Sequence, residues 1–180
     1  MKIYLFLADG FEETEAITPL DLCRRAGIEC VTVGVGGRTV VGAHGIAITA
    51  DITDESLDAT DADGVILPGG MPGTLNLEAS ETVIKTVTEV YSRGGLVAAI
   101  CAAPKILGGL NMLCGRRATA YPGFEAYLTG AEQIGGRCVT DGNTVTAKGA
   151  GAAAEFGLAI VKYFCGEEKA DDLAAAFIAK

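Results

Sequence analysis

Short apolar, β-rich runs alternate with stretches of helical spacing along the whole chain, and this alternation restricts the fold more than any other feature. Residues 2–8, 28–35, 64–67 and 95–100 read as strands. Between them, Ala16, Leu20 and Cys23 give helical spacing that stops at Gly27. Pro19 within that stretch predicts either a kink or a helix that begins at a Thr18 cap. Apolar positions 83, 84, 87, 90 and 91 predict a helix over 80–91, and a second follows over 104–113 with Ile106, Leu107, Leu110 and Leu113 on one face. Helices over 151–165 and 169–178 close the chain. Runs 38–41 and 45–49 predict an edge hairpin about Gly42, and runs 137–140 and 144–147 predict another about Asp141-Gly142-Asn143. The sum is an α/β sandwich around a mostly parallel sheet.

Size and charge narrow the partners. A chain of 180 residues, 49% apolar, fits one domain (1–180) with a sizeable core. The net charge of −9 argues against nucleic acid or an anionic membrane surface, since both need clustered positive charge. Scarce aromatics and the lack of tryptophan weaken any stacking platform. No run approaches the ~18 apolar residues of a membrane-spanning helix. The run 3–8 is too short for a signal-peptide core and meets Asp9, Glu12 and Glu13 directly, which predicts a cytoplasmic protein. Cysteines 23, 30, 101, 114, 138 and 165 form no C-x-x-C pair, and a single histidine allows no zinc spacing. Most of these thiols are expected to be buried and free, with no metal.

In parallel sheets, ligands sit outside the carboxyl ends of the strands. That rule selects loops 9–15, 68–73 and 101–104. Cys101 lies where an apolar strand turns into a helix whose first turn holds Pro104, with small Ala102 and Ala103 between, the layout of a nucleophile elbow. A helix N-terminus there is expected to lower the thiol's pKa. A buried core cysteine accounts for the same residues equally well. Gly69-Gly70 either offers backbone N–H groups to an oxyanion or simply makes a turn. Glu12, Glu13 and Glu15 crowd a helix start, where negative charge is favourable for structural reasons alone, and spacing does not select among them. His44 reads as an exposed turn residue of the hairpin. Residues 149–154 match G-x-G-x-x-A, but Asp171 and Asp172 fall in a helical stretch, so a close-packed helix start fits better than a dinucleotide site.

Taken together, several segments resemble the ThiJ/PfpI superfamily. They are Ala8-Asp9-Gly10-Phe11-Glu12-Glu13-Thr14-Glu15, Pro19-Leu20-Asp21, Arg24-Arg25-Ala26-Gly27, Leu67-Pro68-Gly69-Gly70, Ala99-Ile100-Cys101-Ala102-Ala103-Pro104, and Lys148-Gly149-Ala150-Gly151 with Glu155-Phe156. The resemblance is closest to the branch of the parkinsonism-associated deglycase and chaperone, and it covers almost the whole chain in order. It implies a flavodoxin-like three-layer α/β/α sandwich, like that of class I glutamine amidotransferases, and a homodimer. By resemblance, Cys101 is the nucleophilic, oxidation-prone cysteine and Glu15 the protonated acid bonded to it. Gly69, Gly70 and Ala102 are backbone donors around the sulfur, and Arg25 lies near the pocket at the dimer interface. One departure stands out: many members of the branch carry a histidine before a proline where this chain has Tyr121-Pro122. A phenol of pKa about 10 is a poor base at neutral pH but a good hydrogen-bond donor. His44 aligns near the pocket of relatives and is a candidate substitute.

The resemblance implies a cofactor-independent enzyme acting on reactive dicarbonyls or their protein adducts, of glyoxalase or deglycase type. The alternative is an oxidative-stress sensor or chaperone working through oxidation of Cys101 to the sulfinic acid. Amidase or protease activity, the superfamily's other association, is disfavoured by the missing histidine at the elbow.

Overall fold

The computed structural model describes residues 1–179. Strand β1 (Lys2–Leu7) explains why the sheet is apolar at every position. Ile3, Leu5 and Leu7 are buried on one face, while Tyr4 and Phe6 are buried on the other. Side chains alternate across a strand, so a sheet covered on both faces needs apolar residues throughout.

Helix α1 (Glu13–Arg25) leads to β2 (Glu29–Gly34), then a small hairpin of β3 (Thr39–Val41) and β4 (Ala47–Thr49), the short β5 (Ile52–Thr53) and β6 (Gly64–Leu67). Helices α2 (Gly73–Ala79) and α3 (Glu81–Ser92) precede β7 (Leu96–Ile100) and α4 (Pro104–Gly109). The remainder is β8 (Arg117–Ala118), β9 (Glu132–Gln133), β10 (Cys138–Asp141), β11 (Thr144–Ala147), α5 (Ala153–Cys165) and α6 (Glu167–Ala176). The main sheet has seven strands in the order β10-β11-β7-β6-β1-β2-β5, and all but the antiparallel β10 are parallel. Helices α1, α5 and α6 bury Leu22, Phe156, Ile160 and Leu173 against one face. Helices α2, α3 and α4 bury Leu77, Val87 and Leu107 against the other. This is the expected three-layer α/β/α sandwich. No helix among the described residues is long and apolar enough to cross a membrane.

From β1 the chain steps to β2 on one side, while β6 lies on the other. That reversal opens a crevice at the strands' carboxyl ends, where loops 9–15 and 68–73 meet. The two loops touch backbone to backbone: Glu12 N donates to Gly69 O at 3.0 Å and Gly73 N to Gly10 O at 3.2 Å. A Cβ on Gly70 would strike Glu12 N, and its φ of 86° is one that glycine adopts freely.

Several boundaries differ from the sequence reading. Helix α1 begins at Glu13 and runs through Pro19, so no helix starts at Thr18. Helix α4 stops at Gly109 rather than 113: the Tyr127 backbone packs directly on Gly108, and Asn111 turns to a φ of 58°. The last helix starts and ends two residues early, leaving Ile178 exposed. Helix α2 and strands β5, β8 and β9 were not expected. The cysteines are also less uniform than expected: Cys23 and Cys30 are buried, Cys101, Cys138 and Cys165 are partly buried, and Cys114 is exposed.

Helix α1, which carries the site's glutamates, is held by α5 through a missing side chain. A Cβ on Gly157 would sit 2.7 Å from Leu22 Cδ1 and 2.9 Å from Pro19 Cα. Gly157→Ala therefore sets a helix-propensity gain of about 1 kcal/mol against overpacking of about 1–3 kcal/mol. The expected outcome is a lower urea midpoint at unchanged m-value; a higher midpoint would show that the α1–α5 contact yields at little cost.

Candidate active site

Cys101 follows β7 directly and adopts a φ of 64°. A left-handed conformation costs a side-chain-bearing residue about 1–2 kcal/mol, so the surroundings must hold it. They do so from both sides. Cys101 N donates to Ala147 O at 2.9 Å, extending the β7–β11 ladder, and its carbonyl accepts from Tyr121 N at 2.8 Å. Ala102 and Ala103 behind it are buried, and Pro104 opens α4 where no N–H is needed.

Glu15, in the first turn of α1, is buried against this elbow. Gly69 N donates to its Oε2 at 2.9 Å, and the Ala150 N–H and the Cys101 thiol also bond the carboxyl. A Cβ on Gly69 would lie 2.6 Å from both Cys101 Cβ and Glu15 Oε2. Gly69 was expected to donate to the sulfur; its N–H is instead directed at Glu15, and Gly70 and Ala102 face the sulfur. Burial pushes Glu15 up to about 7 against the bonds from Cys101, Gly69 and Ala150, with the negative Glu12 adding to the rise. Burial and the Glu15 charge push the Cys101 thiol up to about 12, although the Gly70 and Ala102 N–H groups oppose them. The expected lowering of this pKa is thus reversed, because α4 is a six-residue helix whose N-terminus is outweighed by partial burial and the adjacent Glu15 charge. Both shifts favour the neutral forms, a thiol beside a carboxyl that exchanges its proton near neutrality.

Glu12, Cys101, Tyr121, Phe124 and His44 line a cleft of about 490 Å³ together with Glu15. His44 is exposed, as a turn residue should be, yet it belongs to this wall. Its Nδ1 lies 2.9 Å from Glu13 Oε2 and 3.5 Å from Glu12 Oε2. The bond to Glu13, with the charges of Glu12 and Glu13, raises its pKa. Burial alone would push Glu13 up, but bonds from the His44 ring and from the backbone of His44 and Ile46 take it down to about 2. Glu12, Glu13 and His44 are also the group among the described residues whose donor atoms could close on a cation, lying within 4.8 Å of one another. In this structure the imidazole is bonded to Glu13 instead. Tyr121 is half exposed, its ring against Gly149. Arg25 does not line its own chain's cleft; its Nε bonds Asp21 at 2.7 Å. The G-x-G-x-x-A stretch serves this site: Gly149 packs near Glu15 and Ala150 bonds it. Neither contact was legible in the sequence, because both depend on two loops far apart in the chain.

The arrangement matches known proteins over nearly its whole length. Residues 1–163 match the model of the DJ-1/PfpI family. The chain belongs to that family. It is 34% identical over 177 residues to Protein dj-1beta of Drosophila melanogaster, covering 97% of this chain and 95% of that one. It is 31% identical over 151 residues to a deglycase of Pyrococcus horikoshii, covering 82% and 90%. Two relatives from Arabidopsis thaliana are longer, and the chain spans 40% and 45% of them. Among solved structures, oxidized Toxoplasma gondii DJ-1 superposes with a TM-score of 0.94 at 30% identity, covering 98% and 97%.

The coupling of Glu15 to the thiol gives a direct test. Glu15→Gln removes the charge that raises the Cys101 pKa, so the pH at which iodoacetamide reacts half-maximally should fall. An unmoved titration would mean that burial alone sets the thiol.

Proposed function

We propose that this family member is a cysteine-dependent enzyme acting on small dicarbonyls or on the adducts they form with proteins. The observation that carries this reading is the buried Glu15–Cys101 pair at a strained elbow, with Gly70 and Ala102 N–H groups at the sulfur. In this reading the sulfur adds to an aldehyde carbon while its proton passes to Glu15, giving a hemithioacetal. The two N–H groups hold the oxygen as negative charge develops on it. Moving a proton from the former aldehyde carbon to its neighbour makes a thioester, and water releases the 2-hydroxy acid and the thiol. The Pyrococcus relative's name, deglycase, supports an adduct as an alternative substrate. A cytoplasmic homodimer is part of the proposal, with Ile17 of α1 and Val41 and Ile46 of the hairpin supplying exposed apolar surface.

Purified protein should convert methylglyoxal to lactate, and Cys101→Ala should abolish turnover while keeping the fold. Turnover that persists in Cys101→Ala would reject the reading.

Sensing by oxidation is the second reading, and the oxidized state of the Toxoplasma relative favours it. The N–H groups of Gly70 and Ala102 suit a sulfinate, since charge-assisted bonds are the stronger ones. Mild peroxide should then place a two-oxygen gain on the Cys101 peptide ahead of exposed Cys114, read by mass spectrometry. Modification of Cys114 or Cys138 first would reject sensing at the elbow.

A further inference from the structure

We propose that His44 is a second catalytic acid–base of this cleft and that Glu13 is the residue that positions it. The inference rests on the dicarbonyl reading above, and it starts from a shortage of proton carriers. Addition of the thiol gives Glu15 its proton, and a second acid–base group on the same wall would let the substrate oxygen be protonated in that step and a proton then be carried between adjacent carbons. Tyr121 supplies a phenol, which serves as a hydrogen-bond donor rather than as a ready base.

The hairpin loop between β3 and β4 supplies an imidazole, and α1 grips it. Glu13 Oε1 accepts from His44 N at 2.8 Å and from Ile46 N at 3.4 Å, while Oε2 takes Nδ1 at 2.9 Å. The loop is pinned further by Ala43 N donating to Phe11 O at 2.8 Å. Gly42 lets Glu13 lie flat on the loop, because a Cβ there would overlap its carboxyl. The Glu13 side chain is 9% exposed while the imidazole is 67% exposed. A buried carboxylate bonded to Nδ1–H fixes both the tautomer and the ring orientation and leaves Nε2 as the exchangeable nitrogen of a residue that lines the same cleft as Cys101 and Glu15. Gripping the loop needs only the backbone bonds. The ring bond to an exposed side chain adds little stability, so its consequence is orientation and charge.

The groups facing His44 are Glu12 and Glu13 from α1, and across the cleft Glu15, Cys101 and Tyr121. None is cationic, and the carboxylates Glu13 and Glu12 raise the His44 pKa; in the proposed sequence His44 begins as the acid. It gives its proton to the aldehyde oxygen as sulfur adds and Glu15 takes the thiol proton. Neutral His44 then removes the hydrogen of that carbon, while Glu15 protonates the neighbouring carbonyl oxygen, giving an enediol. Return of the proton from His44 to the second carbon, with Glu15 reclaiming one from the first hydroxyl, gives the thioester. Protons balance, and no redox partner is required.

The test is methylglyoxal turnover by the full chain. His44→Ala should lower kcat by about 100-fold or more with little change in KM. Added imidazole should restore part of the loss, with no effect on Cys101→Ala. Because Glu13 raises the His44 pKa, Glu13→Gln should move the alkaline limb of the pH–rate profile to lower pH. Unchanged turnover in His44→Ala overturns the inference, as does a loss that imidazole leaves unrestored with the limb unmoved in Glu13→Gln. Loss of activity on chelation, restored by zinc, also overturns it by making the three side chains metal ligands. Turnover that needs Cys101 but ignores His44 rejects this inference alone, whereas no turnover by the wild type rejects the functional reading with it.

Discussion

The Glu15 carboxyl is the point on which the site depends. It comes from α1, yet it is bonded by Gly69 after β6, by Ala150 before α5, and by Cys101 after β7. Three segments from separate parts of the chain therefore close around one ionisable group. Burying a carboxyl costs free energy unless hydrogen bonds satisfy it. Here the bonds are enough to keep it inside but not enough to keep it fully charged, so its pKa rises to about 7. A group in that range can both take and return a proton near neutrality.

The same closure explains why the sulfur sits where it does. The elbow stores backbone strain at Cys101, and the Ala147 and Tyr121 contacts hold the residue in place on both sides. Glycine at 69 and 70 lets two loops and a thiol approach within a distance that any Cβ would forbid. The sulfur is consequently partly buried among these groups. Partial burial together with the neighbouring Glu15 charge raises the thiol's pKa against the short α4, whose dipole acts through few residues.

Three glutamates that look alike in sequence end in three situations. Glu12 caps no N–H and stands at the mouth of the cleft. Glu13 turns to the hairpin and is held fully charged by backbone N–H groups and the His44 ring. Glu15 turns inward and is pushed toward neutrality. One helical residue corresponds to about 100° of rotation, so adjacent acids on a first turn face different neighbours. Their chemistry follows from those neighbours.

By itself, the sequence determined the layered α/β architecture, the strand-end loops that face one edge, and the elbow layout at Cys101. These follow from local periodicity, from the apolar cores of short strands, and from a proline and small residues placed next to a thiol. Resemblance then singled out Glu15 from its neighbours. Only the tertiary structure decided that Gly69 serves the acid rather than the sulfur, that Ala150 joins the site, and that Glu13 orients His44. It also decided the direction of the Cys101 pKa. Each of these depends on how far two loops remote in sequence approach each other and how much water they exclude. Spacing along a chain carries neither quantity.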